Sequence, residues 1–238
     1  MKYQERFYAY QTIARGLLDA AALEKHFVKL SKVYWGLLKP YLPVDKNSIC
    51  IDMPCGYGNF LYFLRSRGFN NIQGCDFDNA QVKLANIMGL PALNENIFEL
   101  IKNDDNKFDL VSSFDFIEHI SKNEALVFLD GCFNLLNDGG VLILRTPCSD
   151  GPFGAHDAFN DLTHEWAMTS NLLKTLLNMV GFTKVVIIDE SPRPTDFFNS
   201  LRWAVSLFFK FFANLFCIGM GVRPPAVWSR SMIAIAYR

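Results

Sequence analysis

Residues 146–169, TPCSDGPFGAHDAFNDLTHEWAMT, bring two histidines close to several acidic side chains. An imidazole near its ordinary pKa, oriented by a carboxylate, is suited to accept a proton from a substrate. The segment offers two such pairs, His164 with Asp161 as the first candidate and His156 with Asp157 as the second. In the simpler interpretation, these side chains only cap or pack against the helix that follows.

His119, in the segment IEHI, is a further candidate proton acceptor. Its simpler interpretation is a histidine at a helix start that bonds to the backbone. A metal site formed by His156, Asp157, Asp161 and His164 would suit a divalent ion, since imidazole and carboxylate groups both bind such ions. Because their spacing matches no recognised metal motif, we predict no metal.

A second concentration of special residues is the segment DMPCGYG, which directly follows an apolar run. Gly56 and Gly58 can adopt backbone angles that are closed to other residues, and they allow a ligand to approach the main chain. Asp52 supplies a carboxylate for an ammonium group or for loop amides. Pro54 stiffens the first loop position and removes one N–H donor. The segment therefore predicts a turn that holds a ligand.

Polar residues also end the next two apolar runs. Asp76 lies where an acid accepts both hydroxyls of a ribose in dinucleotide sites, and Asn96 with Ile97 lies where a purine edge would be met. The G-x-G-x-x-G spacing that holds a pyrophosphate is not matched, because no third glycine occurs before Leu61. A nucleoside site is therefore predicted, whereas an NAD site is not.

These residues must be positioned by alternating strands and helices. Short apolar runs are separated by single helices, which is typical of an α/β fold with a doubly wound sheet and right-handed crossovers. We predict a seven-stranded sheet that is mostly parallel, with an antiparallel last strand. The predicted strands cover residues 48–53, 71–77, 90–97, 108–115, 141–147, 183–190 and 231–238, and the predicted helices between them cover residues 59–68, 78–89, 122–136 and 170–181.

The pattern divides the chain into two parts. Residues 1–47 predict an N-terminal helical cap, whose helix within residues 5–39 would cover the ligand. Residues 48–238 predict the main domain, which carries an apolar helical insert at about residues 197–225.

Bulk composition excludes several classes of protein. The 238 residues are 50% hydrophobic and 20% charged, which is typical of a globular protein. A net charge of −1 gives no basic footprint, so we expect no nucleic-acid partner. The six cysteines form no CxxC pair, and the N-terminus has no signal pattern. We therefore expect reduced thiols in a cytoplasmic protein.

Residues 48–190 resemble the class I S-adenosylmethionine-dependent methyltransferases, through IDMPCGYGNF, GCDFDNAQVKLA, ALNENIFEL, FDLVSSFDFIEHI and GGVLILRTP. The resemblance implies a Rossmann-like fold with S-adenosylmethionine as cofactor. Pro54 and Asn96 depart from the family pattern, which often has a glycine and an acid there. The implied contacts are Gly56 and Gly58 with the methionine and ribose portion, Asp52 with the loop or the ammonium, Asp76 with the ribose hydroxyls, Phe77 with the adenine face, Asn96 and Ile97 with the adenine edge, and Ser113 and Phe114 with the methionine end.

The DLTHEW run resembles a subset of this family found in polysaccharide and lipopolysaccharide gene clusters. That subset methylates sugar hydroxyls on nucleotide sugars or glycans. The resemblance implies O-methylation by direct displacement with a histidine base, and Thr163 and Trp166 would line the sugar pocket. Two alternatives stay open. The acceptor is another small molecule, a quinone precursor or an amine, or the chain is a non-catalytic cofactor-binding subunit, which Pro54 and Asn96 would favour.

The insert raises a separate question. Residues 203–222 carry one charge, Lys210, and are long enough to span a bilayer. A span is disfavoured, because the strand after the insert would return to the same sheet. Such a segment must still be buried. It is expected to cover the site, to form a homodimer contact, or to lie peripherally on a membrane, which would place the protein at the inner face of that membrane.

Overall fold

A seven-stranded sheet forms the centre of the protein. The computed structural model describes residues 20–103, 107–152, 154–191 and 197–238. The strand order is β3-β2-β1-β4-β5-β7-β6, and β7 runs antiparallel to both of its neighbours while the others are parallel. This confirms the predicted topology. The strands are β1 Cys50–Asp52, β2 Ile72–Asp76, β3 Ala92–Asn94, β4 Phe108–Phe114, β5 Leu136–Pro147, β6 Lys184–Asp189 and β7 Ser231–Tyr237.

Helices cover both faces of this sheet, because alternate strand residues are apolar on both sides. Ile51 packs in the core beneath α4, α5 and α7, whereas its neighbour Cys50 packs in the core beneath α1, α2 and α3. The helices are α1 Ala20–Leu38, α2 Asn59–Ser66, α3 Asn79–Ile87, α4 Ile97–Asn103, α5 Lys122–Leu135, α6 Gly154–Phe159, α7 Ser170–Val180 and α8 Phe197–Gly219.

Helix α1 is the described part of the predicted N-terminal cap. Leu23, Phe27 and Leu38 are buried in the same core as α2, and the ring of Phe27 stacks on that of Tyr57 with centroids 6.1 Å apart. The rest of the predicted helix, up to residue 19, lies outside the described residues. Within the described chain, α1 thus packs on the main domain.

Two local signals position the helices next to the site. Gly58 caps the start of α2 at φ 94°, and a Cβ atom there would lie 2.5 Å from Cδ1 of Leu90. Only glycine satisfies both conditions. Ser121 and Glu124 form a reciprocal capping box that starts α5 directly after the IEHI turn.

Some boundaries differ from the predicted ones. The short helices α4 and α6 were not predicted, and β5 begins at Leu136 rather than at residue 141. The predicted insert is α8, a 23-residue helix in which no residue is buried. By length and composition alone, α8 is a helix that could cross a membrane.

Candidate active site

A cavity of 1410 Å³ opens at the carboxyl ends of the parallel strands. It is bordered by Asp52 at the end of β1, Asp76 at the end of β2, Phe114 at the end of β4 and Arg145 near the end of β5. This is the edge at which open α/β sheets bind ligands. Pockets for one small ligand measure about 300–1,000 Å³. The cavity therefore has room for a nucleoside cofactor and an acceptor side by side.

The turn after β1 and the acid after β2 are joined by hydrogen bonds. Gly56, at φ 54°, donates its amide N–H to Oδ2 of Asp76 at 2.8 Å, and the amide of Asp78 donates to Oδ1 at 2.8 Å. A carboxylate has about four acceptor sites, so about two remain for a ligand. The close approach of the turn to β2 requires Gly74, where a Cβ atom would lie 2.7 Å from that of Cys55. The arrangement fits the two hydroxyls of a ribose.

Asp52 makes this edge receptive to positive charge. Its side chain is 2% exposed, and the hydroxyl of Ser112 donates to its Oδ1 at 2.6 Å. Burial raises the pKa of Asp52 to about 8, an effect that the Ser112 hydrogen bond opposes. Burial also raises the pKa of Asp76. A ligand with ammonium and sulfonium groups would stabilise both carboxylates in their charged form.

The expected adenine platform lies in the cavity wall. Phe77 is 59% exposed and borders the cavity. Asn94, which the sequence analysis did not select, donates from Nδ2 to the carbonyl oxygens of Asp76 and Phe77, both at 2.9 Å. It therefore fixes the turn that carries them. Pro54, whose peptide bond with Met53 is cis, also lines the cavity.

Four predicted cofactor contacts lie outside the cavity lining formed by the described residues. Gly58 packs against Leu90. Asn96 caps α4, since its Oδ1 accepts the amide of Phe98 at 2.9 Å. Packing and capping thus account for Gly58 and Asn96 without a cofactor, and the contacts of these residues with the cofactor stay predictions. The four residues are Gly58, Asn96, Ile97 and Ser113.

A hydrogen-bonded relay lies at another wall of the cavity, which His119 and Asp161 line, whereas Thr163 is buried behind the lining and does not border the pocket as predicted. The hydroxyl of Thr163 donates to Oδ1 of Asp161 at 2.6 Å and lies 2.9 Å from Nδ1 of His119. Because the single hydroxyl proton of Thr163 is donated to Asp161, the hydroxyl oxygen accepts a hydrogen bond from Nδ1–H of His119, which leaves Nε2 as the basic nitrogen. The ring of His164 lies 4.8 Å from that of His119. Asp161 is thus linked to His119 through Thr163, whereas the prediction paired it with His164.

Glu118 is buried beside these imidazoles. Its Oε2 accepts the hydroxyl of Thr146 at 2.9 Å, and its Oε1, which lies 3.9 Å from Nε2 of His119, has no hydrogen-bond partner among the described residues. Burial raises the pKa of Glu118 to about 8, and burial together with His164 lowers the pKa of His119. Ligand atoms of Glu118, His119 and His164 lie within 4.8 Å of one another, close enough to hold a cation. The metal set considered from the sequence is not this group.

The second predicted pair has another partner. Nδ1 of His156 lies 3.2 Å from Oδ1 of Asp157, but that carboxylate also pairs with the guanidinium of Arg230, whose Nε donates at 2.9 Å. The Arg230 hydrogen bonds lower the pKa of Asp157. The His156 side chain is 63% exposed and is not part of the cavity lining. This pair is therefore less suited to accept a proton from a bound acceptor.

Trp166 does not line the large cavity, in contrast to the prediction. Its Nε1 donates to the carbonyl oxygens of Ile117 at 3.2 Å and Ile120 at 3.0 Å, so it fixes the turn that carries His119. The indole that borders the cavity is that of Trp228, which the sequence analysis did not select.

A partly exposed ion cluster at the cavity was not indicated by any motif. Arg145 on β5 donates from Nε to Glu190 at 3.0 Å and pairs with Asp115 through the same guanidinium. Its Nη2 donates to the hydroxyl of Ser231 at 3.1 Å. These residues lie at or near the ends of four different strands, so no local spacing could have indicated them.

The comparisons with known proteins agree with this geometry. Residues 27–186 match the family model described as a methyltransferase domain. Because the match covers more than half of the chain, the protein belongs to this family. The predictions of the class I fold and of S-adenosylmethionine as cofactor are thereby confirmed.

Solved structures share the fold at low identity. An S-adenosylmethionine-dependent methyltransferase from Archaeoglobus fulgidus aligns with a TM-score of 0.66 and 19% identity over 92% of this chain and 100% of that chain. A Thermotoga maritima methyltransferase, described as a possible histamine N-methyltransferase, aligns with a TM-score of 0.62 and 15% identity over 98% and 96%. Phosphoethanolamine N-methyltransferase 2 from Haemonchus contortus, in complex with S-adenosylmethionine, aligns with a TM-score of 0.60 and 12% identity. This alignment covers 93% of this chain and 59% of that chain.

Curated relatives match more narrowly. The sphingolipid C9-methyltransferase of Candida albicans is 24% identical over 55% of this chain and 28% of its own length. The tRNA U34 carboxymethyltransferase of Vibrio cholerae is 28% identical over 66% of this chain and 51% of its own length. The chain therefore spans about half, or less, of the length of these relatives.

Proposed function

We propose that the protein transfers the methyl group of S-adenosylmethionine to a hydroxyl group of a sugar, with His119 as the proton acceptor. The single observation that carries the proposal is the relay of Asp161, Thr163 and His119 in the wall of the cavity that Gly56 and Asp76 border. The relay supports this proposal because it would leave a basic imidazole nitrogen at the wall of the same cavity.

The residues at the cofactor end of the cavity would hold the methyl donor in place. S-adenosylmethionine, when bound, supplies a methyl group on a positively charged sulfur. Asp76 would accept its ribose hydroxyls, Phe77 would cover its adenine, and Asp52 would favour its ammonium group. A direct displacement is fast only when acceptor, methyl and sulfur are aligned. The backbone cradle at Gly56 would contribute by holding the cofactor and, with it, the sulfur in a fixed position.

The acceptor end supplies a base and polar contacts. His119 would take the hydroxyl proton at Nε2, while Nδ1 stays on Thr163 and the charge that develops is stabilised by Asp161. A sugar offers many hydroxyl groups and an apolar ring face. Asn160, Asp161 and the indole of Trp228 also line the cavity and match both features. The match supports a sugar acceptor.

The proposal is tested with cofactor that carries a labelled methyl group. The protein is incubated with a panel of nucleotide sugars and glycans, and transferred label is detected by mass spectrometry. Label on a sugar oxygen supports the proposal. If label is transferred to an acceptor without sugar, and to none of the sugars, the sugar assignment is wrong while the methyltransferase assignment stands.

An amine acceptor is the second candidate, and one observation favours it. Oε1 of Glu118 is buried without a hydrogen-bond partner among the described residues, and an ammonium group would satisfy it. The same assay includes primary amines at equal concentration. Glu118→Gln would weaken transfer to a cationic acceptor and leave transfer to a neutral sugar much less affected, so the variant separates the two candidates.

A further inference from the structure

Helix α8 is amphipathic in the sense opposite to that of an ordinary surface helix. Helices of soluble proteins turn their apolar stripe to the core and their polar face to water. In α8 the polar residues recur at spacings of three and four, which places them on one face. The residues on this face are Asn199, Arg202, Ser206, Lys210 and Asn214, and Ser200 is the further polar residue of the helix.

The part of this polar face that carries Ser206, Lys210 and Asn214 is turned toward the body of the protein, whereas Arg202 is exposed. Nζ of Lys210 donates to Oδ2 of Asp189 at 3.1 Å and to the hydroxyl of Ser191 at 2.7 Å. Ser206 and Lys210 line the cavity, and Oδ1 of Asn214 is buried. The helix therefore lies along the rim of the cavity, held near its middle by an ion pair with the end of β6.

The opposite face is apolar and faces outward. It carries Leu201, Phe208, Phe211 and Leu215, which are 50–59% exposed. Phe198 and Phe216, on the flank, are 72% and 70% exposed. An exposed apolar surface of this extent marks a site of interaction with another molecule or with a membrane.

We propose that α8 lies in the plane of an anionic lipid surface, with its apolar face in the boundary of the acyl chains and the rim of the cavity toward that surface. Interfacial helices of this kind bind through buried apolar area and through attraction of cations to anionic headgroups. This inference goes beyond the proposed function, because it concerns docking and not the reaction.

The tether at Lys210 argues against a helix that crosses the bilayer. A helix of this length measures about 34 Å, close to the hydrocarbon thickness. Lys210 lies near its middle and pairs with Asp189 at the edge of the sheet. A span would bring the carboxylate and the end of β6 into hydrocarbon, where charge is very costly. A helix parallel to the surface keeps the ion pair above the acyl chains.

Charge and shape favour lipid over a second copy of the chain. Residues 197–238 contain no acidic residue, and Arg202 and Arg223 are exposed. Basic residues near an anionic leaflet strengthen binding to it. The exposed apolar residues also continue around both flanks of the helix, at Leu207 and at Phe212, which borders the rim of the cavity as well. A single partner helix would cover only a stripe, whereas an acyl boundary accommodates the outer face and both flanks.

Sedimentation with vesicles tests the inference without cofactor or acceptor. The full chain is mixed with vesicles of phosphatidylethanolamine and phosphatidylglycerol, or of phosphatidylcholine alone. We expect the protein to sediment with the anionic vesicles, and the double variant Phe208→Glu/Phe211→Glu to lose at least tenfold in affinity. The matched control, Val127→Glu/Met179→Glu, places the same changes at exposed positions on α5 and α7 and should bind as the wild type does.

A second variant keeps the test informative if the first one fails to fold. Arg202→Gln/Arg223→Gln should reduce binding to the anionic vesicles and remove the difference between the two lipid compositions. The inference is overturned if the wild type does not bind anionic vesicles or if the Phe208→Glu/Phe211→Glu variant binds equally well. It is also overturned if light scattering shows a dimer that this variant converts to a monomer. S-adenosylhomocysteine binding, measured separately, reports on the proposed function alone.

Discussion

The amide of Gly56 donates a 2.8 Å hydrogen bond to Oδ2 of Asp76. The sequence presents these residues as separate motifs twenty positions apart, and the structure makes them one unit. Because the turn and the acid hold each other, we expect a change in either one to alter the proposed cradle for the cofactor. Gly56 makes this hydrogen bond with a positive backbone angle, φ 54°.

The two loop glycines should respond differently to alanine. At Gly56 a Cβ atom would meet only the flexible end of Gln81, at 3.0 Å, whereas at Gly58 it would meet Leu90 at 2.5 Å. Both positions have positive φ, which costs roughly 1–3 kcal/mol for other residues. We expect Gly58→Ala to lower the melting temperature more, and Gly56→Ala to weaken cofactor binding more. Equal effects of the two variants on both measurements would contradict these separate roles.

The relay predicts a graded loss of activity. His119→Ala should lower kcat by about 100-fold or more, since the base is removed. Thr163→Val keeps the volume but breaks the link to Asp161, so kcat should fall by a smaller factor, and Thr163→Ser should restore most of it. S-adenosylhomocysteine affinity should stay within twofold for all three, as measured by calorimetry.

His156→Ala is the control for these variants. Its imidazole is 63% exposed outside the cavity lining, and we expect activity within twofold of the wild type. If the His119→Ala enzyme is active, His164 is the better candidate for the base. If His156→Ala loses most of the activity, the base is instead His156 of the second predicted pair.

Asp52 predicts a pH dependence of stability. Its pKa is raised to about 8 in the folded protein, against about 3.9 in an unfolded chain. The unfolded chain therefore loses this proton first. The stability that Asp52 contributes is complete below pH 4 and is lost as the pH rises through 8, by at most about 1.4 kcal/mol per pH unit.

Asp52→Asn should remove this component. Denaturant unfolding of the cofactor-free protein at pH 5, 7 and 9 measures it, and the variant should gain stability relative to the wild type as the pH rises. Glu118 has a similarly raised pKa, but it is present in both proteins and cancels in the difference. A constant difference across the pH series would contradict the raised pKa of Asp52.

Removal of metal ions should leave the reaction intact. Direct displacement with an imidazole base requires no Lewis acid, so we expect full activity after incubation with EDTA and dialysis. The alternative is a metal ion held by Glu118, His119 and His164, whose ligand atoms lie within 4.8 Å of one another. Loss of activity that added Mn²⁺ or Zn²⁺ restores would show that these imidazoles are ligands and not a base.

The fold could be predicted because its signals are local. Apolar runs, turn glycines and caps such as Asp78, which accepts the amide of Ala80, determine strands and helices over a few residues. Helix α4 was missed because it has only seven residues, too few for a periodic pattern. The cofactor turn was predicted for the same local reason, since its glycines directly follow a strand.

The proposed acceptor site is formed by residues that are far apart in the sequence, so their spacing could not indicate it. Thr163 and His119 are 44 positions apart, so no local pattern links their side chains. Neighbouring residues suggested the pair of His164 and Asp161, but the turn at Thr163 aims the carboxylate elsewhere. Trp228 and Arg230 reach the cavity from the segment before β7, a position that follows only from the sheet order.

Calorimetric titration with S-adenosylhomocysteine tests the central claim most directly. The account predicts one binding site in the wild type, at least tenfold weaker binding in Asp76→Asn, because a charged acceptor of two hydroxyls is neutralised, and unchanged binding in Asp130→Asn, an exposed acid on α5. Absence of binding to the wild type at millimolar ligand, or equal binding by Asp76→Asn, would contradict it.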